Sequence, residues 1–337
     1  MAFFVENQTV ERAELLPMLA QLDNSGFVET ALRVFRYQAR HNPLYARWLK
    51  LLGHQAADIT TLEAIPCLPI QFFKTHTLQT GQWAATTTFT SSATTGQTPS
   101  QHLVRDLDFY LHYARRGFAH FYGDPADWCV IGLLPSYLER TGSSLIAMVN
   151  DIVWRSRYPD SGFYLHDFQM LRTKLEWCQM RGIPTLLIGV SFALLDFAEQ
   201  QPMDLQGITV VETGGMKGRR RELTRPELHA RLGEAFQLET IHSEYGMTEL
   251  FSQAYALGSH RFRPTPTMRV LATEIYDPFC LVAPGHTGVL NIIDLANLDT
   301  CAFIATEDVG RVYADGSFEV LGRLDAAELR GCNLLVE

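Results

Sequence analysis

The sequence contains little cysteine and no cysteine pair at metal-ligand spacing. Its six cysteines are scattered over 337 residues, and none forms a Cys-x-x-Cys pair. This arrangement argues against both a structural zinc site and a disulfide framework. A reducing compartment, the cytoplasm, is therefore the expected location of the chain.

Long apolar runs and an excess of positive charge are also absent. No stretch of about 18 apolar residues occurs, so we expect no membrane-spanning helix. The first residues carry no basic group ahead of their apolar run, so we expect no signal peptide. A net charge of −9 disfavours nucleic acid as the main partner, because a phosphate backbone requires a basic face. The composition, 47% hydrophobic and 19% charged, is that of an ordinary globular protein of one large or two medium domains.

The most unusual stretch, residues 86–100, consists mostly of threonine and serine. The β-branched run 86–90 predicts a strand, and Gly96 and Pro99 then interrupt regular structure. Hydroxyl groups and free backbone N–H groups in a turn suit a phosphate chain. A Ser/Thr-rich surface linker is the alternative interpretation, and other parts of a nucleotide site are needed to decide against it.

Hydrophobic periodicity predicts an α/β protein with two regions. Residues 1–60 predict helices, and from about 106 to 256 short buried strands alternate with helices. That alternation predicts a parallel sheet covered on both faces. From Met268 the pattern changes to short strands. We therefore expect an α/β core with a helical N-terminal segment at 1–265, and a β-rich subdomain with a short tail at 266–337.

Local signals predict where several elements begin and end. Thr224 with Glu227 has the spacing of a capping box, and Ser191 is a predicted helix N-cap. Asp315-Gly316 predicts a hairpin turn. Strands are predicted, among other places, at residues 208–213, 237–241 and 309–313.

Two of these strands lead into residues suited to binding a nucleotide, at the strand ends where ligands of open α/β sheets bind. The first leads into Gly214 and Gly215, whose backbone can approach a flat ligand closely. The second leads into residues 243–249, where Tyr245 offers a ring for stacking and Glu249 a carboxylate for Mg²⁺.

Further along, Asp308 offers a carboxylate for paired ribose hydroxyls, and Arg323 supplies a cation nearby in sequence. Each of these features alone also fits a plain turn, a loop acid or a surface charge. Their joint occurrence in this order is more specific.

In order and spacing these segments resemble the acyl-adenylate-forming enzymes. Within that superfamily the chain looks most like the LuxE-type acyl-protein synthetases and their phenylacetate-CoA ligase relatives. The similarity extends over nearly the whole chain. The segments that carry it are residues 90–96, 214–215, 245–249, 308 and 322–325, together with 34–38, 68–74, 134–140 and 330–332.

The resemblance implies the large N-terminal-type domain of adenylate-forming enzymes, with mostly parallel sheets covered by helices, and the use of ATP and Mg²⁺. Tyr245 would stack on the base beside Gly246, Thr248 would contact the α-phosphate, and Glu249 would hold the metal. Asp308 and Arg323 would hold the ribose. The phosphates would be wrapped by Thr90, Ser91, Ser92, Thr94, Thr95 and Gly96, and the adenine lined by Gly214, Gly215 and Met216.

The implied reaction activates a carboxylic acid, expected to be a fatty acid, to acyl-AMP and passes the acyl group to a thiol. Cys332 matches the cysteine that carries the acyl group near the C-terminus of LuxE-type enzymes. Tyr137 and Ser191 are candidates for lining the acyl pocket. One alternative is a ligase that delivers the acyl group to coenzyme A or an acyl carrier protein. Another is a non-catalytic, acyl-AMP-binding or scaffolding subunit of an acyl reductase complex.

The sequence departs from the family pattern in three places. These departures bear on phosphate binding or motivate the alternative of a non-catalytic subunit. Ala93 stands where the family usually has glycine, and Ser100 stands near the place of a basic residue. The sequence ends at Glu337, so the small mobile C-terminal domain, with its lysine, is expected to be absent. The one basic run, 217–221, is a candidate contact for an acidic carrier protein or a coenzyme A phosphate, or a solvated turn.

Overall fold

The computed structural model describes residues 2–91, 98–134, 142–165, 167–214 and 223–324, with side chains from residue 9 onward. Their fold is α/β, as the sequence predicts. They form a seven-stranded sheet, a five-stranded sheet and a two-stranded hairpin, with helices packed around them through one apolar core.

The helices bury an apolar stripe against this core. In chain order they are α1 (Ala2–Ala20), α2 (Phe27–His41), α3 (Pro43–Leu51), α4 (Phe72–Thr75), α5 (Leu107–Tyr122), α6 (Ser144–Arg155), α7 (Phe168–Met180), α8 (Ser191–Gln200) and α9 (Arg225–Phe236), with a 3₁₀ turn at Pro125–Asp127. None of these described helices has both the length and the apolar character that crossing a lipid bilayer demands.

The strands of the described residues are mostly short. In chain order they are β1 (Leu68–Pro69), β2 (Thr87–Thr90), β3 (Gln101–Val104), β4 (Cys129–Leu133), β5 (Gly162–Phe163), β6 (Thr185–Gly189), β7 (Ile208–Glu212), β8 (His242–Tyr245), β9 (Ala254–Leu257), β10 (Arg263–Pro264), β11 (Met268–Thr273), β12 (Thr287–Asp294), β13 (Phe303–Val312) and β14 (Phe318–Arg323).

The seven-stranded sheet has the order β10-β9-β8-β7-β6-β4-β5. The five strands from β8 to β5 run parallel, and β9 and β10 are antiparallel additions at one edge. All residues of β4 and β6 are buried, as expected for parallel strands with helices on both faces. Because β7 and β8 are parallel neighbours, Gly214 and Gly246 follow adjacent strand ends at the same edge of the sheet.

The five-stranded sheet contains β1, β13, β12 and β11 in that order, with β14 also paired to β13. The predicted turn at Asp315-Gly316 is confirmed: Gly316 has φ +80° and Asp315 accepts the Ser317 N–H. In the β13–β14 register Asp308 lies opposite Arg323. The last strand of the first sheet ends at Pro264, and β11 of the second sheet begins at Met268. However, β1, far upstream in the sequence, also belongs to the second sheet. The domain division at 265 therefore stays a prediction.

Two strand boundaries were predicted wrongly. The strand expected at 237–241 begins at His242, because Gln237 adopts a left-handed conformation (φ +54°) that ends α9. Tyr245 therefore lies within a strand and not after it. The strand expected at 309–313 begins at Phe303, so Asp308 is also a strand residue.

Helix caps give one confirmed and one wrong prediction. The capping box of Thr224 and Glu227 is present at the start of α9. Ser191 is the first residue of α8 and not its N-cap, which is Val190. The Ser191 hydroxyl instead donates to the buried Glu212 carboxylate at 3.0 Å.

We predict that Gly310→Ala lowers the free energy of unfolding by about 2 to 4 kcal/mol. A Cβ at Gly310 would lie 2.0 Å from the backbone oxygen of Glu319, on the neighbouring strand β14. Gly322→Ala on the same hairpin is the matched control, because its Cβ would meet no atom within 4 Å. Urea unfolding monitored by circular dichroism measures both variants, and equal losses would contradict the prediction.

Candidate active site

The buried Tyr245 and Asp308, together with the more exposed Arg323, form a cluster that joins the two sheets. The Tyr245 hydroxyl donates to Oδ2 of Asp308 at 2.7 Å, and Nε of Arg323 donates to Oδ1 of Asp308 at 3.1 Å. Thr306 Oγ1 accepts the Asp308 backbone N–H at 3.0 Å, which fixes the strand at this point. Burial and the Asp308 charge hold the pKa of Tyr245 well above its ordinary value, so the phenol remains a donor.

This cluster rests on an aromatic wall. The Tyr245 ring contacts Phe262 and Phe318 with centroid distances of 5.7 and 5.4 Å, and Phe262 stacks on Phe318. The Asp308 carboxylate uses one acceptor site on each oxygen for Tyr245 and Arg323. A carboxylate has about four acceptor sites, so two remain for paired hydroxyl donors such as those of a ribose.

Thr248 is held by a histidine that the sequence analysis did not identify. His102, on β3, donates from Nδ1 to the Thr248 carbonyl oxygen at 2.8 Å, and its Nε2 accepts from the Thr300 hydroxyl at 2.9 Å. Burial lowers the pKa of His102 to about 4, so the ring is neutral and its tautomer is set by these two contacts. The His102 ring also stacks on Phe251, with 4.7 Å between centroids.

The two ends of the hydroxyl-rich loop are tied together. Ser91 N–H donates to the Ser100 carbonyl at 3.1 Å, and Ser100 N–H donates to the Ser91 hydroxyl at 2.8 Å. Thr90 N–H donates to the Gly142 carbonyl at 2.8 Å. The hairpin of β2 and β3 that carries this loop thus reaches the Thr248 segment through His102.

The Glu249 side chain is buried, and no hydrogen bond or ion pair of its carboxylate exists among the described residues. Its backbone carbonyl accepts from Nδ2 of Asn297 at 2.7 Å, which holds the segment in place. The described residues contain no cluster of three or more potential metal ligands. A single free carboxylate fits Mg²⁺, which proteins commonly bind through one or two carboxylates together with substrate phosphates.

Gly214 follows β7 and has φ +70°, a conformation that favours glycine, and we call this position the Gly214 turn. Its carbonyl accepts the Ser191 N–H at 2.9 Å, and its own N–H donates to the Glu212 carboxylate at 2.8 Å. Several predicted site residues lie outside the described residues, and their roles stay predictions: Ser92, Thr94, Thr95, Gly96, Tyr137, Gly215, Met216 and Cys332.

Two buried glutamates at the ends of β7 and β8 differ in protonation. Burial alone would raise the pKa of Glu212, but donors from His229, Arg225, Ser243 and Gly214 lower it to about 2. Glu244 has no such donors among the described residues, and burial followed by repulsion from Glu212 raises its pKa to about 8.

The position of the Glu244 side chain leaves little room for a side chain at Gly246, the residue after Tyr245. A Cβ at Gly246 would lie 2.5 Å from Oε1 of Glu244. The sequence analysis missed both glutamates, since single acids within apolar runs resemble solvent-facing positions.

We predict that Glu244→Gln makes the free energy of unfolding less dependent on pH. A group whose pKa is raised on folding stabilises the protein fully below its unfolded value of 4.5, and this stabilisation is lost as pH rises toward 8. Relative to Glu244→Gln, the wild type should lose up to about 5 kcal/mol across that window.

Urea titrations at several pH values measure the effect. Glu234→Gln, at an exposed position on α9, is the control and should leave the wild-type pH dependence unchanged. A difference between wild type and Glu244→Gln that stays constant between pH 4.5 and pH 8 would contradict the assignment.

No family model matches the chain. The long-chain-fatty-acid–luciferin-component ligase of Aliivibrio fischeri is 22% identical, over 83% of this chain and 80% of its own length. A crystal structure of an open conformation of 2-hydroxyisobutyryl-CoA ligase, in complex with 2-HIB-AMP and CoA, aligns with a TM-score of 0.64 at 14% identity over 90% of this chain and 72% of that chain. ATP-bound MatB from Rhodopseudomonas palustris aligns with a TM-score of 0.51 at 15% identity over 70% of this chain and 47% of that chain.

These structural likenesses, at low sequence identity, concern the fold. They agree with the α/β architecture of the chain. The chain thus has the α/β fold of the adenylate-forming ligases, and most of its length is similar to an acyl-protein ligase of the LuxE type, as its motifs predict.

Proposed function

We propose that this protein activates a carboxylic acid with ATP, forming acyl-AMP and pyrophosphate, and then transfers the acyl group to a thiol. The observation that carries the proposal is the cluster of Tyr245, Asp308 and Arg323. It brings an aromatic ring, a carboxylate with free acceptor sites and a cation from two different sheets to one point. The similarity to ligases named for fatty-acid and acyl-CoA chemistry supports the same assignment.

The nucleoside would bind at this cluster. Asp308 would accept hydrogen bonds from the two ribose hydroxyls, while the hydrogen bond from Arg323 orients the carboxylate. Tyr245 would pack against the base beside the Gly214 turn. Each of these side chains is already fixed by the protein, so little conformational freedom is lost when the nucleotide binds.

The phosphates would bind between the hydroxyl-rich loop and Thr248. The tied ends at Ser91 and Ser100 and the His102 contact to the Thr248 carbonyl hold these two segments in a defined relation. Glu249 would hold Mg²⁺, which when bound neutralises phosphate charge. Loop N–H groups and hydroxyls would orient the α-phosphate for attack.

The bond-making step is attack of a substrate carboxylate oxygen on the α-phosphorus. A new P–O bond forms, the bond from the α-phosphorus to the bridging oxygen breaks, and pyrophosphate leaves with that oxygen. Phosphoryl-type transfer of this kind depends mainly on positioning and charge neutralisation. In this proposal the hydroxyl-rich loop and Thr248 position the phosphates, Mg²⁺ on Glu249 neutralises their charge, and the substrate carboxylate itself is the nucleophile.

We propose a long-chain fatty acid as the substrate class, on the basis of the luciferin-component ligase relative. For the thiol acceptor we propose Cys332. No described cysteine is suited to the task. Cys129 and Cys301 are buried with raised pKa values, and an acid neighbour, Glu274, raises the pKa of the exposed Cys280. The remaining described cysteines are Cys67, whose pKa burial also raises, and the fully buried Cys178.

We predict that Asp308→Asn raises KM for ATP by about tenfold to a hundredfold in fatty-acid-dependent ATP–pyrophosphate exchange. The amide would present donors to Arg323 and to the ribose, where acceptors are needed. Asp151→Asn is the matched control, because Asp151 is likewise an aspartate paired with arginine, here Arg115 and Arg155 of the helices α5 and α6.

A wild-type protein that catalyses no exchange and releases no pyrophosphate with a panel of acids would refute the proposed function. Equal KM values for wild type and Asp308→Asn would refute the assignment of the ribose site alone.

We predict that intact-mass spectrometry after incubation with ATP, Mg²⁺ and a fatty-acid mixture detects one acyl adduct. Cys332→Ser should abolish it, since a thioester requires the thiol, whereas Cys280→Ser should retain it. If Cys332→Ser still transfers acyl groups to coenzyme A at the wild-type rate and no adduct forms on the wild type, the coenzyme A ligase alternative replaces the acyl-protein assignment.

A further inference from the structure

Glu212 lies at the end of β7 and binds donors from α8, from α9, from β8 and from the Gly214 turn. Its carboxylate accepts the Ser191 hydroxyl of α8 at 3.0 Å and the Gly214 N–H of the following turn at 2.8 Å, both at Oε2. Oε1 accepts Nε of Arg225, from the start of α9, at 3.2 Å. The residue is only 2% exposed, so these contacts replace the water that an acid would otherwise bind.

Arg225 continues this connection to the second sheet. Its Nη1 donates to the Val320 carbonyl of β14 at 3.4 Å, and its guanidinium lies 4.5 Å from the centroid of the Phe262 ring. Phe262 in turn contacts Tyr245. A continuous set of contacts therefore runs from the Gly214 turn through Glu212 and Arg225 to the aromatic wall that supports Tyr245.

We propose that Glu212 is a positioning residue for the nucleotide, which fixes the Gly214 turn and, through Arg225 and Phe262, the ring of Tyr245. The inference rests on the proposed function for its ligand, the adenine end of ATP. The turn and the ring belong to different segments, and one buried carboxylate sets the distance between them.

The contacts require an acceptor on both oxygens. A hydroxyl, a backbone N–H and a guanidinium converge on the carboxylate, and none of the groups from Gly214 and Arg225 can accept a hydrogen bond. In Glu212→Gln the amide nitrogen would face either the Gly214 N–H or the Arg225 guanidinium. One of the two walls of the adenine site would therefore move, although the side-chain volume is nearly unchanged.

A purely structural role gives a different expectation. Loss of a buried ionic contact would lower the free energy of unfolding and leave the kinetics of the folded protein unchanged. A positioning role raises KM for ATP in the folded protein and leaves KM for the acid nearly unchanged, because the acid does not contact the adenine walls.

The experiment compares wild type, Glu212→Gln, Glu212→Asp and Arg225→Lys, each first shown by circular dichroism to be folded at the assay temperature. For Glu212→Gln we expect KM for ATP and the AMP dissociation constant from calorimetry to rise by about tenfold, with KM for the fatty acid within about twofold of wild type. Arg225→Lys should act in the same direction, and Glu212→Asp should recover part of the loss. Asp151→Asn, which weakens a partly buried ion pair elsewhere, should change stability but neither nucleotide parameter.

Unchanged AMP affinity and KM for ATP in folded Glu212→Gln would overturn the proposal. If Glu212→Gln does not fold, Arg225→Lys decides by the same two measurements. The outcomes separate this inference from the proposed function: a wild type that binds AMP but forms no acyl-AMP refutes the activity, while weaker AMP binding by the folded variant still supports the positioning role.

Discussion

The hydrogen bond from Tyr245 to Asp308 is the contact on which the candidate site depends, because it joins two sheets that have no strand in common. Tyr245 ends the last parallel strand of the first sheet, and Asp308 lies within the long central strand of the second. Burial makes the contact strong and also makes each partner costly to leave unpaired. The pairing of β13 with β14 places Arg323 directly opposite Asp308. Side chains from both sheets therefore meet at this junction, and the Tyr245–Asp308 contact links the two sheets there.

The buried acids around the junction have divided roles. Glu212 is ionised because donors from a turn, two helices and a neighbouring strand converge on it, whereas Glu244 is neutral because its charge would be buried near that of Glu212. Asp294 is a third case, with burial raising its pKa although Ser252 and the backbone N–H groups of Phe251 and Ala296 lower it. Distinct protonation states at closely spaced acids follow from the number of donors each one receives.

Local sequence signals predicted much of the fold. The capping box at Thr224, the turn at Asp315-Gly316 and the apolar runs of β4 and β6 each depend on a few adjacent residues. Gln237 escaped prediction because a non-glycine residue at positive φ has no sequence signature. The two-residue strand β1 escaped because its only support is β13, far away in sequence.

For the site, sequence resemblance named Tyr245, Asp308 and Arg323, and the structure brings them into contact. The sequence resemblance did not name His102 or Glu212. Their roles depend on pairing partners such as Thr248 and Arg225, which lie in other elements, and no spacing rule connects them. Residues that act through partners in other elements can be identified only once the three-dimensional structure is known.

The pairing of β1 with β13 has a consequence for how the protein is made. Leu68 pairs with Ile304, and the buried Gln38 and Asn42 bind carbonyls of Asn297, Leu298 and Thr300. During synthesis the N-terminal helices can therefore complete these contacts only after residues 297–304 have been made, and until then water binds the two amides. Such distant pairing slows folding and leaves apolar surface open in the meantime. The ribosome-bound nascent chain is thus the form of this protein most in need of a chaperone.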